Sequence, residues 1–351
     1  MEYISHRDLS MAPNGRYSRQ TVLPQIGIQG QENLAASTVA IVGVGALGSS
    51  IAEMLARAGV GVLRLIDRDY LELHNLQRQS LYTEADVRSG IPKAAAAARR
   101  LAEINSEIDV EPLVADITPE NALDLLRGAT IILDGTDNLQ TRYLVNDCAI
   151  KLSIPWIYSG VIGVSGVCMP IVSGETACLR CLFPEPLPAG SAETCDVAGV
   201  LGSVAHAISA ISAAEAIKLI VNGHATPGLL TADLWQGSWD RLEVARNPDC
   251  PACSLHRFDY LDSLEWEQDA GRLCGRDAVQ VRLPGRSKPD LSMLGSRLQA
   301  SQIGEVVVNE YLVRLRTGAY EMTLFADGRV IVKGTDDAGV ARSLVARYIG
   351  T

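Results

Sequence analysis

The segment Thr38–Gly48, TVAIVGVGALG, decides the fold of this chain of 351 residues. Its first five residues are mostly apolar and predict a buried strand, and its last six follow the pattern G-x-G-x-x-G at the start of a predicted helix, Ala46–Ala58. A second strand begins near Val62 and ends at Asp67. Strand, glycine turn, helix and strand in this order form the βαβ unit of a parallel sheet.

Helical and strand patterns continue to alternate beyond this unit, which predicts an α/β fold with a doubly wound, Rossmann-like mixed sheet. The further predicted elements are a helix over Lys93–Ile104, a strand over Val110–Val114, a helix over Asn121–Arg127, a strand over Ile131–Asp134, a helix over Arg142–Leu152 and a strand over Trp156–Val161. After Val164 we expect short strands on both sides of Ser173–Glu175, an apolar helix ending near Val221, and late strands at Leu230–Ala232 and Arg241–Val244.

Two domains and a linker are predicted. Residues 1–253 form the nucleotide-binding domain, residues 254–275 a charged and weakly patterned linker, and residues 276–351 a small α+β module. In the module, alternating apolar residues predict strands, Asp327-Gly328 is a hairpin turn, and Asp336–Ile349 closes the chain as a helix. The pattern does not assign a role to this module.

Charge and hydropathy exclude several classes of function. The formal charge is −10, from 31 basic and 41 acidic residues, which argues against non-specific binding to nucleic acid or to an anionic membrane. Residues 1–19 contain no apolar core of signal-peptide length. The long apolar stretch Val197–Val221 is interrupted by His206, Glu215 and Lys218, which favours a buried helix over a membrane span. We therefore expect a cytoplasmic protein.

Two Cys-x-x-Cys pairs, Cys178 with Cys181 and Cys250 with Cys253, are the most specific chemical signal in the chain. Each pair can occupy two corners of a tetrahedron, and together they form the closed four-thiolate shell of structural zinc. Redox and disulfide roles are the alternatives, and a reducing compartment disfavours them.

The glycine turn supplies the second signal. Gly43, Gly45 and Gly48 can let backbone N–H groups approach a phosphate, and Asp67 at the end of the second strand can accept hydrogen bonds from ribose hydroxyls. This pattern alone predicts a nucleotide and leaves NAD and ATP open. It is also compatible with a turn whose glycines serve helix–sheet packing and bind nothing.

Three charged residues favour ATP over NAD. Arg78 and Lys93 can supply the cations that a triphosphate needs, and Asp137 follows the predicted strand Ile131–Asp134 at the carboxyl edge of the sheet, where ligands bind. A carboxylate at that place is suited to Mg²⁺, which combines one or two carboxylates with phosphate oxygens. Considered alone, Arg78 or Lys93 would more simply be a charged surface residue without a ligand.

With these motifs in this order, the chain resembles the ThiF/MoeB/HesA family, the bacterial relatives of ubiquitin-activating enzymes. The resemblance spans about residues 16 to 253 and leaves the C-terminal module outside it. The residues that carry it are Arg16-Tyr-Ser-Arg19-Gln, the GVGALG turn, Asn75-Leu-Gln-Arg-Gln79, Pro92-Lys93, Thr136-Asp137-Asn138, Cys178-Leu-Arg-Cys181, Thr194-Cys195 and Cys250-Pro-Ala-Cys253.

The resemblance implies an adenylyltransferase. The family uses ATP to adenylate the C-terminal Gly carboxylate of a ubiquitin-fold sulfur carrier with a Gly-Gly tail, releasing pyrophosphate and preparing a thiocarboxylate for thiamine, molybdopterin or tRNA thiolation. By the same resemblance, Asn75, Arg78 and Lys93 contact the triphosphate, and Asp137 holds Mg²⁺. Arg19 reaches the ATP site of the other subunit of a homodimer, and a cysteine desulfurase is a further partner.

Cys195 has an open role. In some members of the family the matching cysteine bonds covalently to the carrier, and in others it is dispensable. Three alternatives to carrier adenylation also stay open at this point: an NAD-dependent oxidoreductase on the same turn, adenylation of a peptide that is not a carrier, and a scaffold that keeps the fold without catalysis.

Overall fold

The computed structural model describes residues 15–186, 198–263, 278–283 and 289–350. The chain divides into two compact units. The first contains Met1–Glu84 and Lys93–Asp262, and the second contains Ala85–Pro92 and Ser263–Thr351. The second unit thus includes a short segment from within the nucleotide-binding half of the sequence, in addition to the C-terminal module.

The first unit contains an eight-stranded mixed sheet in the order β3-β2-β1-β4-β5-β6-β7-β8. Its strands are β1 (Thr38–Val42), β2 (Val62–Ile66), β3 (Asp109–Leu113), β4 (Ile131–Asp134), β5 (Trp156–Ile162), β6 (Ser165–Ile171), β7 (Leu229–Asp233) and β8 (Ser238–Leu242). The strands from β3 to β5 in this order run parallel, and β6, β7 and β8 are antiparallel. The predicted mixed sheet is confirmed, with β1 buried at its centre.

Helices flank this sheet. Those of the first unit are α1 (Ser18–Thr21), α2 (Gly27–Ala36), α3 (Ala46–Ala58), α5 (Lys93–Ile104), α6 (Ala122–Leu126), α7 (Leu139–Leu152), α8 (Leu179–Leu182) and α9 (Gly202–Asn222), and α4 (Glu84–Ser89) precedes α5 in sequence. Helix α3 ends where Gly59 adopts φ +80°, a conformation that suits glycine. Helix α7 begins three residues before the prediction because the Asn138 side chain caps its first turn.

Helix α9 is long and apolar enough to span a membrane by length and composition. Half of its apolar window is nevertheless buried inside the protein, where the helix packs against α2, α3, β5 and β6. The expectation of a buried helix in this region is therefore met by a core helix of the first unit.

The prediction of a strand directly after Ser173–Glu175 is wrong. The Thr176 hydroxyl accepts a hydrogen bond from Val172 N, which closes a turn, and α8 then starts at the first cysteine pair. A local side-chain bond of this kind competes with strand pairing.

In its described residues, the second unit contains an antiparallel sheet in the order β10-β11-β12-β13-β9 and two helices from the C-terminal module, in addition to most of α4. Its elements are β9 (Ala278–Arg282), α10 (Leu291–Ala300), β10 (Glu305–Val308), β11 (Leu312–Thr317), β12 (Tyr320–Phe325), β13 (Arg329–Lys333) and α11 (Ala338–Tyr348). Apolar residues from alternate strand positions pack against the two helices in one core. The predicted small α+β module has this architecture.

Candidate functional site

Two glycines of the turn after β1 are explained by packing. Gly43 has φ +84°, and a Cβ at this position would lie 2.6 Å from Gly135 O at the end of β4. A Cβ on Gly48 would lie 1.9 Å from Gly43 O. Because real Cβ atoms do not approach backbone so closely, α3, β1 and β4 can meet here only with glycine at both positions.

Gly45 is not explained by packing. It precedes α3 as the N-cap residue, and the nearest atom to a Cβ built there is Gln79 Nε2, at 3.7 Å. The side of the turn that Gly45 faces is therefore open. The first N–H groups of a helix have no partner within the helix, so this opening lies at a natural anion-binding position.

Asp67 holds the turn from the end of β2. Its Oδ2 accepts a hydrogen bond from Val44 N at 2.7 Å, and its Oδ1 accepts one from Asp69 N at 2.7 Å. Burial raises the pKa of Asp67, while the Lys93 charge and the two backbone N–H groups oppose that shift. Each oxygen retains a second lone pair, which can accept a ribose hydroxyl.

Two buried polar atoms lie in the segment after β2 without a hydrogen-bond partner. Asn75 Oδ1 accepts from Glu72 N, but neither Asn75 Nδ2 nor Gln79 Oε1 has a partner among the residues that the structure describes. Both residues are almost completely buried. A buried amide atom without a partner costs about 1–3 kcal/mol, so a bound ligand or water is expected to satisfy these atoms. Gln79 is not among the site residues predicted from the sequence.

Lys93 is buried at the first position of α5. Its Nζ lies 3.1 Å from Asp69 Oδ2, and its backbone N donates to Asp69 O. The Tyr82 hydroxyl donates to Val44 O at 2.7 Å and also lies 3.3 Å from Lys93 O, which links α5 to the glycine turn. Asp69 is not among the residues predicted from the sequence. A signal was available, because Asp69 follows the end of β2 as the predicted Asp67 does.

Arg78 follows directly on the segment of Asn75. Its Nη1 donates to His74 O at 3.0 Å, and its side chain makes no ion pair with any residue in the described part of the chain. The guanidinium is half-buried and carries donors beyond this one bond. The structure thus leaves Arg78 able to bind an anion.

Asp137 is exposed just beyond the carboxyl end of β4. Three residues before it, at the last position of β4, the buried Asp134 accepts from Arg142 Nε at 3.0 Å and from the Thr136 hydroxyl at 2.7 Å. Burial lowers the pKa of Arg142, but the Asp134 carboxylate and its neighbour Asp137 more than offset this and leave it raised. Arg142 also donates to Thr136 O and Ser159 O, so it fixes the loop that carries Asp137. This network was not predicted.

Arg19 lies far from the turn within its own chain. It belongs to α1, where the neighbouring Gln20 donates to Ala58 O at the last residue of α3. The glycine turn is at the opposite end of α3, whose 13 residues span about 20 Å. Arg19 is exposed, so the structure does not bring it together with the other predicted site residues of the same chain.

The four cysteines of the two pairs form one cluster. The Sγ atoms are separated by 3.9 Å between Cys178 and Cys181, by 3.5 Å between Cys178 and Cys250, and by 3.4 Å between Cys181 and Cys253, and all four lie within 4.8 Å of one another. Cys178 occupies the N-cap position of α8, and Cys250 and Cys253 lie in a hydrogen-bonded turn. The cluster has the ligand set of a metal site. Cys195 lies outside the described residues.

These observations define a class: a nucleotide-binding α/β protein with a Rossmann-like sheet, a phosphate-binding turn and a four-cysteine cluster. Comparison with known proteins narrows the class. Residues 17–252 match the model of the ThiF family. The chain belongs to this family, as its sequence motifs predicted.

The relatives extend the comparison to the whole chain. It is 43% identical over 338 residues to the sulfur carrier protein ThiS adenylyltransferase of Bacillus subtilis, a match that covers 96% of this chain and 99% of the relative. It is 41% identical over 245 residues to a sulfur carrier protein adenylyltransferase of Thermus thermophilus, covering 68% of this chain and 90% of the relative. The crystal structure of E. coli MccB with ATP aligns with a TM-score of 0.59 at 26% identity, covering 68% of this chain and 75% of that one.

Proposed function

We propose that the protein uses ATP to adenylate the C-terminal Gly carboxylate of a ubiquitin-fold sulfur carrier, and that this carrier is of the ThiS type, in thiamine biosynthesis. The match to the Bacillus subtilis ThiS adenylyltransferase supports this choice because it extends over nearly the full length of both chains. One observation within the molecule carries the ATP assignment. The open side of Gly45 lies beside Gln79, and buried polar atoms of Asn75 and Gln79 have no hydrogen-bond partner among the described residues.

The reaction needs positioning and charge compensation and no side-chain nucleophile. The carboxylate oxygen of the carrier attacks the α-phosphorus, a new O–P bond forms, and the bond to pyrophosphate breaks. The first N–H groups of α3, Asn75 Nδ2, Arg78 and Lys93 donate to phosphate oxygens, and Asp67 orients the ribose. Asp137 holds Mg²⁺, which when bound neutralises charge on the phosphates.

Lys93 has to exchange one partner for another in this scheme. Its Nζ is held by Asp69 at 3.1 Å, and a triphosphate offers a more highly charged acceptor. The ion pair keeps the buried ammonium aimed at the edge of the sheet until ATP arrives, because an unpaired buried charge would be costly. Asp69 is therefore a positioning residue for Lys93 in this proposal.

We assign zinc to the four-cysteine cluster. With Zn–S bonds of 2.3 Å, a tetrahedron has edges of about 3.8 Å, and the closest Sγ pairs of 3.4–3.9 Å approach this value. Four protein ligands leave no open position, so the metal supplies structure and takes no part in the reaction. The cluster joins α8 to the segment after β8.

The homodimer is supported by the place of Arg19. Arg19 is exposed about 20 Å from the turn of its own chain. Exposed apolar residues follow it within ten positions, among them Val22, Leu23 and Ile28. Exposed apolar groups of this kind are typical of interfaces. We propose that this region contacts a second copy and that Arg19 enters the ATP site of that copy.

Three further proposals follow from the family and not from the structure. The protein acts in the cytoplasm. A cysteine desulfurase supplies the sulfur for the transfer step after adenylation. Cys195 bonds covalently to the carrier during that sulfur transfer. The last of these depends on a residue outside the described part of the chain, and its test is the loss of sulfur transfer, with adenylation retained, in Cys195→Ser.

The test of the proposed function is formation of the carrier adenylate. Purified protein is incubated with ATP, Mg²⁺ and a ubiquitin-fold carrier ending in Gly-Gly, and the carrier is analysed by intact mass spectrometry. We expect a carrier–AMP adduct with the wild type and none with Asp137→Ala. A carrier without its last Gly is the matched control. Absence of the adduct together with tight NADH binding would refute the proposal.

A further inference from the structure

The segment Ala85–Pro92 joins the two triphosphate-binding regions of the sequence, yet it belongs to the second compact unit. Arg78 precedes this segment, and Lys93 follows it directly. The peptide that leads into Lys93 is therefore packed with the C-terminal module, which the resemblance to shorter family members does not explain.

The contacts that hold this segment are specific. Asn309 Nδ2 donates to Gly90 O at 3.4 Å. A Cβ built on Gly90 would lie 3.3 Å from Arg314 Nη2 and 3.5 Å from Val307 Cγ1, so the backbone of Gly90 lies directly against both side chains. Val307 and Arg314 are paired across β10 and β11, and their sequence neighbours point into the helix-covered core. By strand alternation, Gly90 lies on the opposite face of the sheet.

The path from Gly90 to Lys93 has little freedom. Gly90 has φ +64°, which strongly favours glycine, and Gly90, Ile91 and Pro92 are all buried. The ring of Pro92 fixes its own φ and restricts the residue before it. Lys93 is the next residue and the first of α5. A displacement of Gly90 is therefore passed on to the start of this helix.

We propose that Val307, Asn309 and Arg314 of the C-terminal module are positioning residues for the adenylation reaction. By fixing Gly90 they set the start of α5 through the three-residue path to Lys93, and with it the place of the Lys93 ammonium that pairs with Asp69. This inference rests on the proposed binding of the triphosphate by Lys93. It gives the C-terminal module a function. The match to the Thermus thermophilus relative covers 90% of that protein but only 68% of this chain.

The sharpest variant is Asn309→Asp in the full chain. Asn309 Oδ1 accepts from Tyr311 N and Leu312 N at 2.9 Å, and an aspartate keeps this acceptor. It replaces the donor to Gly90 O with a second carboxylate oxygen that repels the carbonyl. Gly90→Ala disturbs the same contact from the other side. Gln299→Glu is the matched control, because it makes the same charge change at an exposed position on α10.

Carrier-dependent exchange of labelled pyrophosphate into ATP gives KM for each substrate. We expect both variants to raise KM for ATP about fivefold and to leave KM for the carrier unchanged, and we expect the control to change neither. An unchanged KM for ATP in the folded variants, or a rise in the carrier KM instead, would overturn the inference. Wild-type protein without exchange activity would refute the proposed function. The inference is then tested separately by equilibrium ATP binding, which should weaken about fivefold in both variants and stay unchanged in the control.

Discussion

At the scale of single residues, the three glycines of the turn differ in the reason for their presence. Gly43 and Gly48 are required because a Cβ at either position would overlap backbone within the chain. Within the described part of the chain, Gly45 has open space on its Cβ side, and the adjacent Gln79 has a buried oxygen without a partner. A turn whose glycines only served packing would not leave this opening, so the nucleotide interpretation is favoured over the packing-only alternative.

This difference predicts that Gly45→Ala mainly weakens ATP binding and that Gly48→Ala mainly lowers folding stability. Gly45→Ala should weaken ATP binding about tenfold or more, since the methyl group fills the phosphate position. It should lower the free energy of unfolding by only about 1 kcal/mol, because the added methyl group meets no backbone and the cost is limited to the backbone conformation, φ −83° and ψ −136°, which alanine disfavours. Gly48→Ala should destabilise by about 2 kcal/mol or more.

Isothermal titration with ATP and urea unfolding measure the two effects on the same preparations. Equal ATP affinity in wild type and Gly45→Ala would place the triphosphate elsewhere. A stable Gly48→Ala would contradict the close packing of the turn.

Asp147 gives a pH prediction that does not involve the ATP site. It is fully buried, and burial raises its pKa to about 6, with the backbone N–H of Tyr260 and the Arg180 charge opposing the shift. A carboxyl group with a raised folded-state pKa stabilises the fold below its unfolded pKa and loses that contribution as pH rises through the folded value. The free energy of unfolding should therefore fall between about pH 4 and pH 6 on account of this residue.

Asp147→Asn removes this titration. We expect the difference in unfolding free energy between the variant and wild type to shift in favour of the variant by about 1–3 kcal/mol from pH 4 to pH 7. Urea unfolding at several pH values measures it, and only the pH dependence of the difference counts. A difference that stays constant with pH would show that Asp147 does not titrate in this range.

At the scale of secondary-structure elements, sequence patterns worked where the decisive interactions are local. The bounds of β1, α3, β4 and α5 agree with the predictions because a glycine turn, a left-handed Gly59 and a continuous apolar run define them within a few residues. The start of α7 was placed too late because the pattern of apolar residues does not register the Asn138 cap. The expected strand after Ser173–Glu175 fails because Thr176 closes a turn instead.

The candidate site could be predicted only in part from the sequence. Motifs identify Gly45, Asp67 and Lys93, but the pairing of Lys93 with Asp69 brings together residues 24 positions apart, and the Asp134–Arg142 pair depends on the packing of α7 against the sheet. The packing of Ala85–Pro92 with the C-terminal module joins residues more than 200 positions apart. No local pattern encodes such contacts.

The cysteine cluster gives a prediction about elements, because it joins α8 to the turn that follows β8. Cys253→Ala should lower the bound zinc from about one ion per chain and should lower Tm, since the metal contributes directly to folding. Cys148→Ala is the matched control: this thiol is also buried but lies outside the cluster, so zinc content should stay unchanged. Zinc retained in full by Cys253→Ala would contradict the assignment.

At the scale of the whole molecule, the account requires two copies of the chain. The described structure of one chain contains the glycine turn, Asp67, Lys93 and Asp137, and it places Arg19 at the opposite end of α3. A second copy related by twofold symmetry can supply its own Arg19 to this site while receiving the same residue in return. In the proposed function, the ATP site is therefore complete only in such a dimer.

Mixed dimers test this requirement. Arg19→Ala and Asp137→Ala should each be inactive alone. Coexpression produces heterodimers with one intact site, so activity should recover to about a quarter of the wild-type value. Two copies of the same variant, prepared in the same way, are the control. No recovery in verified heterodimers would mean that Arg19 acts within its own chain or not at all.

The central claim is that the rim of the sheet holds ATP so that the terminal carboxylate of a carrier protein can attack its α-phosphorus. Exchange of labelled pyrophosphate into ATP tests it most directly, because the label enters ATP only when an acyl-adenylate forms reversibly. We predict exchange that requires both Mg²⁺ and a carrier ending in Gly-Gly and that disappears in Asp137→Ala. Exchange that proceeds equally without any carrier, or that never occurs with an intact ThiS-type carrier, would contradict the account.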